Sequence, residues 1–157
     1  MSMISERAKE FKKRYPATIA WRINAHAKVI EEHLNPGEEV QYVFVAQKND
    51  NPLDMITSCV VALTNKRILI GQKRLIFGYF YTAITPDMFN DVKVKGGIIW
   101  GRIYIDTVKE FITLSNICNE ALPEIETAIS SYMIEAKKRL YKHDHDDDDK
   151  EDKEADE

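Results

Sequence analysis

VVALTNKRILI (Val60–Ile70), GYFYTAITPDMFNDVKV (Gly78–Val94) and KGGIIWGRIYI (Lys95–Ile105) decide the fold, because between Val60 and Ile105 short apolar runs and tight turns follow one another without a helical period. Thr64-Asn65-Lys66 separates the apolar runs Cys59–Leu63 and Ile68–Ile70, and asparagine tolerates the positive φ that tight hairpin turns demand. Asn65 is therefore read as the tip of a hairpin. Gly96-Gly97, between Val92–Lys95 and Ile98–Ile105, repeats the signal, since glycine reaches left-handed angles without a Cβ clash.

Working outward, Val40–Gln47 (VQYVFVAQ) reads as a first strand, followed by a turn-rich loop, Lys48–Leu53. The remaining strands are expected near Met55–Leu63, Arg67–Gln72, Phe77–Ile84, Asp91–Lys95, Ile98–Ile105 and Glu110–Leu114, which makes seven. Ile19, Ile23, Ala27, Ile30 and Leu34 recur at spacings of three and four, which predicts an amphipathic helix over 17–34, stopped by Asn35-Pro36-Gly37. Ile125, Ile129, Tyr132, Met133, Ala136 and Leu140 form a second stripe that starts beside Pro123, with Glu124 and Glu126 at the positive end of the helix dipole. Residues 1–16 hold Arg7, Lys9, Lys12, Lys13 and Arg14 and are expected to be a basic, partly helical arm that packs little.

LTNKRILI, an aromatic strand, an Ile-Thr-Pro linker and VKVKGGIIWGRIYI together resemble the bacterial pleckstrin-homology-like (PH-like) family, in its YokE-like branch, over about Pro36 to Tyr141. The resemblance implies an α+β fold: a seven-stranded antiparallel roll of two crossed sheets, with a C-terminal helix closing one open end and no known chemistry. Three segments are expected: residues 1–35 as the basic arm and first helix, 36–142 as the PH-like domain, and 143–157 as a disordered acidic tail.

Net charge is −4, but the distribution is uneven. His143–Glu157 carries ten acids and two lysines, leaving 20 basic and 16 acidic residues in positions 1–142, a body of +4. No apolar run reaches the ~20 residues of a membrane-spanning helix, and the first 15 residues lack the apolar core of a secretory signal, which points to the cytoplasm. Cys59 and Cys118 give neither a disulfide framework nor a metal spacing and read as small buried apolar groups.

Catalysis finds little footing, since His26 and His33 are the only histidines of the body and read as boundary residues of the first helix, far in sequence from any nucleophile. His143, His145 and the neighbouring aspartates have metal-ligating side chains but sit on a flexible string without fixed geometry. No phosphate-cradling glycine motif occurs. No enzyme, cofactor or metal is expected. Nucleic acid is not expected as a partner either, because the aromatic run Phe77, Tyr79, Phe80, Tyr81 has only Lys73-Arg74 beside it.

Eukaryotic phosphoinositide-binding relatives concentrate cations on strand one, its following loop and strand two, where this chain has Lys48 followed by Asn49, Asp50, Asn51 and Asp54. Lys73-Arg74 falls at the same end as Lys48, and Lys66-Arg67 at the opposite one, with no evident convergence of the cations. Protein binding or self-association is thus the expected function, with Trp21 (opposite the stripe of the first helix), Ile30 and Trp100 as apolar contacts and Lys73 and Arg74 as a polar rim. Contact of Trp21 with Phe11 or Tyr15 is the plain alternative for that ring. The alternative function is attachment to an anionic membrane through Arg7–Arg14 and Lys73-Arg74. A third is a barrel enclosing a small ligand.

Overall fold

Seven strands in the order β4-β3-β2-β1-β7-β6-β5, all pairs antiparallel, make up the body of the molecule. They are β1 (Val40–Gln47), β2 (Ser58–Thr64), β3 (Ile68–Lys73), β4 (Tyr79–Ile84), β5 (Phe89–Lys95), β6 (Trp100–Thr107) and β7 (Phe111–Cys118). Three helices accompany them: α1 (Met3–Arg14), α2 (Ile23–Glu31) and α3 (Leu122–Glu154). The computed structural model describes residues 3–49 and 51–154, with side chains to residue 142. The acidic segment 143–157 expected to be disordered has its side chains outside the described residues. Among the described residues no helix is long and apolar enough to cross a membrane.

The sheet folds over at β1–β7, whose ladder is the single pair Gln47↔Ser115. On one side β1–β4 form one sheet, on the other β5–β7 the second, and β4 and β5 are joined only by the turn 85–88. Every residue of β2 is buried, because both of its faces are covered. Val60, Gly71 and Tyr81 are in register across three strands and share the face on which α2 lies, with His33 stacked on Tyr81 at 4.0 Å between ring centres. The other face, with Phe44, Val61 and Ile70, lines the interior of the roll. Helix α2 approaches so closely that a Cβ on Gly71 would lie 2.7 Å from Ile30 Cγ1 and 2.9 Å from the His26 carbonyl oxygen, so that position needs glycine for space rather than for its backbone angles.

The arm expected to pack little is α1, and it is part of the core. Ile4, Ala8 and Phe11 follow each other at helical spacing and are all buried, with Phe11 against Phe44 (6.2 Å) and Tyr15 (5.1 Å). Its charges are also engaged: Arg7 donates to the Val40 carbonyl (2.8 Å), Lys12 to the Pro16 and Thr18 carbonyls (2.6 and 2.5 Å) and Arg14 to Glu124 (2.6 Å). The helix predicted over 17–34 is shorter, because residues 15–18 turn and 19–22 form an irregular linker that starts against β7: Ile19 N–H donates to the Asn116 carbonyl and Cys118 N–H to Thr18 Oγ1, both at 3.0 Å. Helix α2 begins only after Arg22, whose φ is 54°.

Both hairpins form, each by turn chemistry other than that expected. Asn65 does not take a positive φ; Thr64 closes the turn through its hydroxyl, which accepts from the N–H groups of Lys66 and Arg67, while Asn65 pairs with the backbone of Glu39. Gly96 and Gly97 do not use left-handed angles either, and a Cβ on Gly97 would collide with the Trp100 carbonyl. The β2–β3 hairpin is tied to the end of α2 by the Glu38–Arg67 pair. Arg67 Nε and Nη2 donate to the two Glu38 oxygens at 2.9 and 3.0 Å, and Nη2 also reaches the His33 carbonyl at 2.8 Å. Burial alone would raise the Glu38 pKa, but hydrogen bonds from Arg67, the Asn35 N–H and Thr64 outweigh it and hold the carboxyl below its ordinary value.

Replacing Phe11 by alanine is expected to destabilise the protein by about 3 to 4 kcal/mol, as for a fully buried aromatic ring, while Lys13→Ala on the exposed side of α1 changes stability by less than about 0.5 kcal/mol. Urea unfolding midpoints check this, and equal midpoints would return α1 to the status of a loose arm.

Candidate binding surface

Antiparallel order places the β1–β2 loop (48–57) and the β3–β4 turn (74–78) at one end of the first sheet, and the β2–β3 hairpin at the other. The β1–β2 loop is held by its own polar side chains. Asn51 N–H donates to Asn49 Oδ1 (3.1 Å), Leu53 N–H to Asn51 Oδ1 (3.0 Å), Asn49 Nδ2 to Asp54 (2.8 Å), and buried Gln47 donates to the Asp54 carbonyl (2.9 Å). From β7, Asn116 donates to Gln47 Oε1 at 2.6 Å and the Ser115 hydroxyl to the Asn49 carbonyl. The loop thus closes over polar groups and turns Leu53 outward, 89% exposed.

Opposite it, Arg74 N–H closes the β3–β4 turn on the Gly78 carbonyl (3.1 Å), and Gly78 takes the left-handed angle, φ 73°, that the turn requires. This leaves Leu75, Ile76 and Phe77 at the apex, the last two 76% and 81% exposed. Between loop and turn lies a groove of about 510 Å³ lined by Ile56, Leu75, Ile76, Phe77, Phe80 and Arg74, among others. Phe80 on β4 carries two cations: Lys48 Nζ lies 5.2 Å from its ring centre and the Arg74 guanidinium carbon 5.3 Å. The cations at this end therefore do converge, contrary to the sequence reading, and they meet on an aromatic ring. A broader concavity of about 600 Å³ beside Ile134–Lys142 is walled by α3 residues alone and is open helix surface.

The other sequence-predicted contacts lie elsewhere. Ile30 is fully buried against Gly71 and can meet no partner. Trp21 is on the linker rather than on a helix, 36% exposed, with the Arg22 guanidinium 5.5 Å from its ring centre; among the described residues it forms no ring pair with Phe11 or Tyr15, which pair with each other. Trp100 is half-buried and its indole N–H donates to the Ala17 carbonyl (2.6 Å), so it fastens the linker to β6. Lys73 and Arg74 do reach the loop end. The apolar apex itself went unread, although Leu75-Ile76-Phe77 before Gly78 is an apolar run where a turn is usually polar, and beginning a strand at Phe77 hid it.

His26 links this end to α2. It is buried rather than on a boundary, and its Nδ1 accepts from the Lys73 N–H at 2.7 Å. Burial, aided by the Arg22 charge, lowers its pKa to about 4. The interior offers no chemistry of note: Cys59 and Cys118 are buried, and burial raises the Cys59 thiol to about 12. Among the described residues no cluster of His, Cys, Asp or Glu has the make-up of a metal site.

Compared with known families, the chain matches the bacterial PH domain over residues 34–131. It belongs to that family. A search of curated proteins finds no match. Membership agrees with the seven-stranded curled sheet and its capping helix, and it makes a binding module the coarse reading for this PH-like domain. Helices α1 and α2 lie before the matched segment.

Because the folded pKa of His26, about 4, lies below its unfolded value of 6.5, the unfolded chain takes up a proton that the folded one refuses between these limits. The contribution is therefore complete above pH 6.5 and falls away as pH drops towards 4, by up to about 3 kcal/mol. Urea midpoints measured through this range should decline in the wild type and decline less in His26→Gln, whose amide oxygen can still accept from Lys73. Parallel profiles would remove His26 as the cause.

Proposed function

We propose that this PH-like domain is a protein-docking module whose contact surface is the loop-end groove, and that its partner presents an apolar side chain flanked by acidic ones. The observation that carries this reading is the groove itself: an apolar floor of Ile56, Leu75, Ile76, Phe77 and Phe80, with Lys48 and Arg74 stacked at Phe80. A concave floor is filled by an inserted side chain and left empty by a flat surface, and a cation on an aromatic ring at the rim is where interface energy concentrates. Membership of the YokE-like branch is part of this reading and rests on the sequence resemblance.

Membrane attachment through the arm and Lys73-Arg74 has less support. Arg7 is bound at Val40, the end of β1 away from the groove, and Arg14 at Glu124, so these cations do not share a plane with Lys73 and Arg74. The described residues of the β1–β2 loop also carry Lys48 as their only cation, beside Asp54.

Phe77→Asp, at an exposed apex, should leave the thermal midpoint unchanged and weaken capture of the proteins that the intact domain retains from lysate by roughly 30-fold or more, as for a central anchor. Identical retention by both forms would overturn the docking surface. Phe77-dependent sedimentation with phosphatidylcholine–phosphatidylglycerol vesicles would replace the protein partner by a membrane.

A further inference from the structure

Among the described residues Arg22, Lys48, Lys73 and Arg74 have no ion-pair partner. Lys48 and Arg74 share Phe80, Arg22 Nη1 reaches the Arg74 carbonyl at 3.5 Å, and Arg22 and Lys73 line a hollow of about 150 Å³ with Lys28 and Tyr79. Among the described residues the acids at this end are Glu32, 3.9 Å from Lys28, and Asp54, which accepts from Asn49, and the five cations Arg22, Lys28, Lys48, Lys73 and Arg74 outnumber them. An excess of cations on one end of a small domain is self-repelling and favours an anionic partner.

The chain carries a polyanion of matching size. His143–Glu157 has ten acids and two lysines. It follows directly on the exposed part of α3, whose buried side chains end at Ala136 while Lys137–Lys142 all face solvent. At 33 residues α3 is roughly 50 Å long, and its described side chains after Ala136 are all exposed. Acids at the negative end of a helix dipole, spaced three and four apart, destabilise that end in isolation, and cations brought against it relieve both effects.

Within one molecule the start of the acidic segment is tethered at the end opposite the rim. Arg139 donates to the Asn65 carbonyl at 3.3 Å, which fixes α3 at the β2–β3 hairpin, the far end of β3 from Arg74 by six residues or roughly 20 Å. We propose that the acidic segment 143–157 of one copy docks on the cationic rim of a second copy, with Arg22, Lys48, Lys73 and Arg74 as its counter-ions. The proposal rests on the loop end being the binding surface and names a second copy of this chain as an occupant of its rim, in competition there with the acidic flank of the proposed protein partner. Donor and acceptor surfaces differ, so the contact is heterologous: copies join head to tail and either close a ring or extend.

Sedimentation velocity over a concentration series tests it with full-length chains. At low salt the intact chain should pass from monomer to dimer and larger species as concentration rises, and return to monomer near 1 M salt, where the screening length falls to about 3 Å. A chain carrying Asp144→Asn with Asp146→Asn, Asp147→Asn, Asp148→Asn and Asp149→Asn should stay monomeric, as should one carrying Lys48→Glu with Arg74→Glu. Mixed together these two should form a one-to-one dimer that grows no further, since one acidic segment and one cationic rim remain. An intact chain that stays monomeric, assembly that survives either set of changes, or a mixture that forms no dimer overturns the proposal. Phe77→Ser removes an apolar wall of the groove without adding charge and leaves this assembly in place, so capture and assembly can each fail without the other.

Discussion

Everything at the loop end depends on how the seam between β1 and β7 is filled. The two strands meet at one ladder pair and then diverge, which would leave the Val40 carbonyl on one side and backbone groups of Asn116 and Cys118 on the other without partners. Each unmet backbone group costs about 1–3 kcal/mol when buried, so a divergent seam needs a third element. The N-terminal segment supplies it, with Arg7 on Val40, Ile19 on Asn116, Thr18 on Cys118 and the Phe11 ring on Phe44. With the seam filled, the chain emerges at Arg22 in position to start α2. Helix α2 then lands on Gly71 and receives the Lys73 N–H on His26. The cations of the rim are placed by that sequence of contacts, starting from residues outside the family's matched segment.

At the opposite end the Glu38–Arg67 pair has the complementary part. A two-point guanidinium–carboxylate bond with the Glu38 side chain fully buried is costly to desolvate, and its justification is geometric: it joins the end of α2, the entry to β1 and the β2–β3 hairpin at one point. Helix α2 is thus pinned near its start by His26 and just past its end by Arg67. Between the pins it slides neither along nor across β3, which keeps Arg22 and Lys73 adjacent.

Strand count and approximate strand positions were legible because β-branched and aromatic runs alternating with turn residues leave few other folds for residues 40–118. The reasons given for the turns were less secure than the turns themselves. A hairpin at Thr64–Arg67 follows equally from an asparagine at positive φ or from a threonine hydroxyl capping two N–H groups, and the residues TNKR do not separate the two. Glycine at 97 likewise serves crowding at the Trp100 carbonyl instead of a left-handed angle. The N-terminal arm was misjudged because five cations masked Ile4, Ala8, Phe11 and Tyr15, four residues at helical spacing that were there to be read. Ile30 and Trp21 were misplaced for a related reason: one continuous helix over 17–34 puts Trp21 on a face, whereas a linker diverted to β7 removes it from the wheel. That diversion is a long-range contact with residues a hundred positions away, and local pattern carries no trace of it.

The apolar apex is the feature that folding alone does not explain. Leu53, Ile76 and Phe77 gain nothing from burial in the isolated chain, and polar residues in both loops would satisfy the turns as well. What the structure adds is rigidity: Asn49, Asn51 and Asp54 bond the first loop to itself, Gln47 and Asn116 anchor it, and Gly78 fixes the second turn. A loop so bonded has already lost the conformational freedom that an interface would otherwise have to remove, which favours tight contact from a small area. Exposed anchors on fixed backbone, beside cations that form no ion pair among the described residues, form one surface in which each part makes sense through the other. The apolar groups supply the attraction that survives salt, and the cations select which apolar segment arrives.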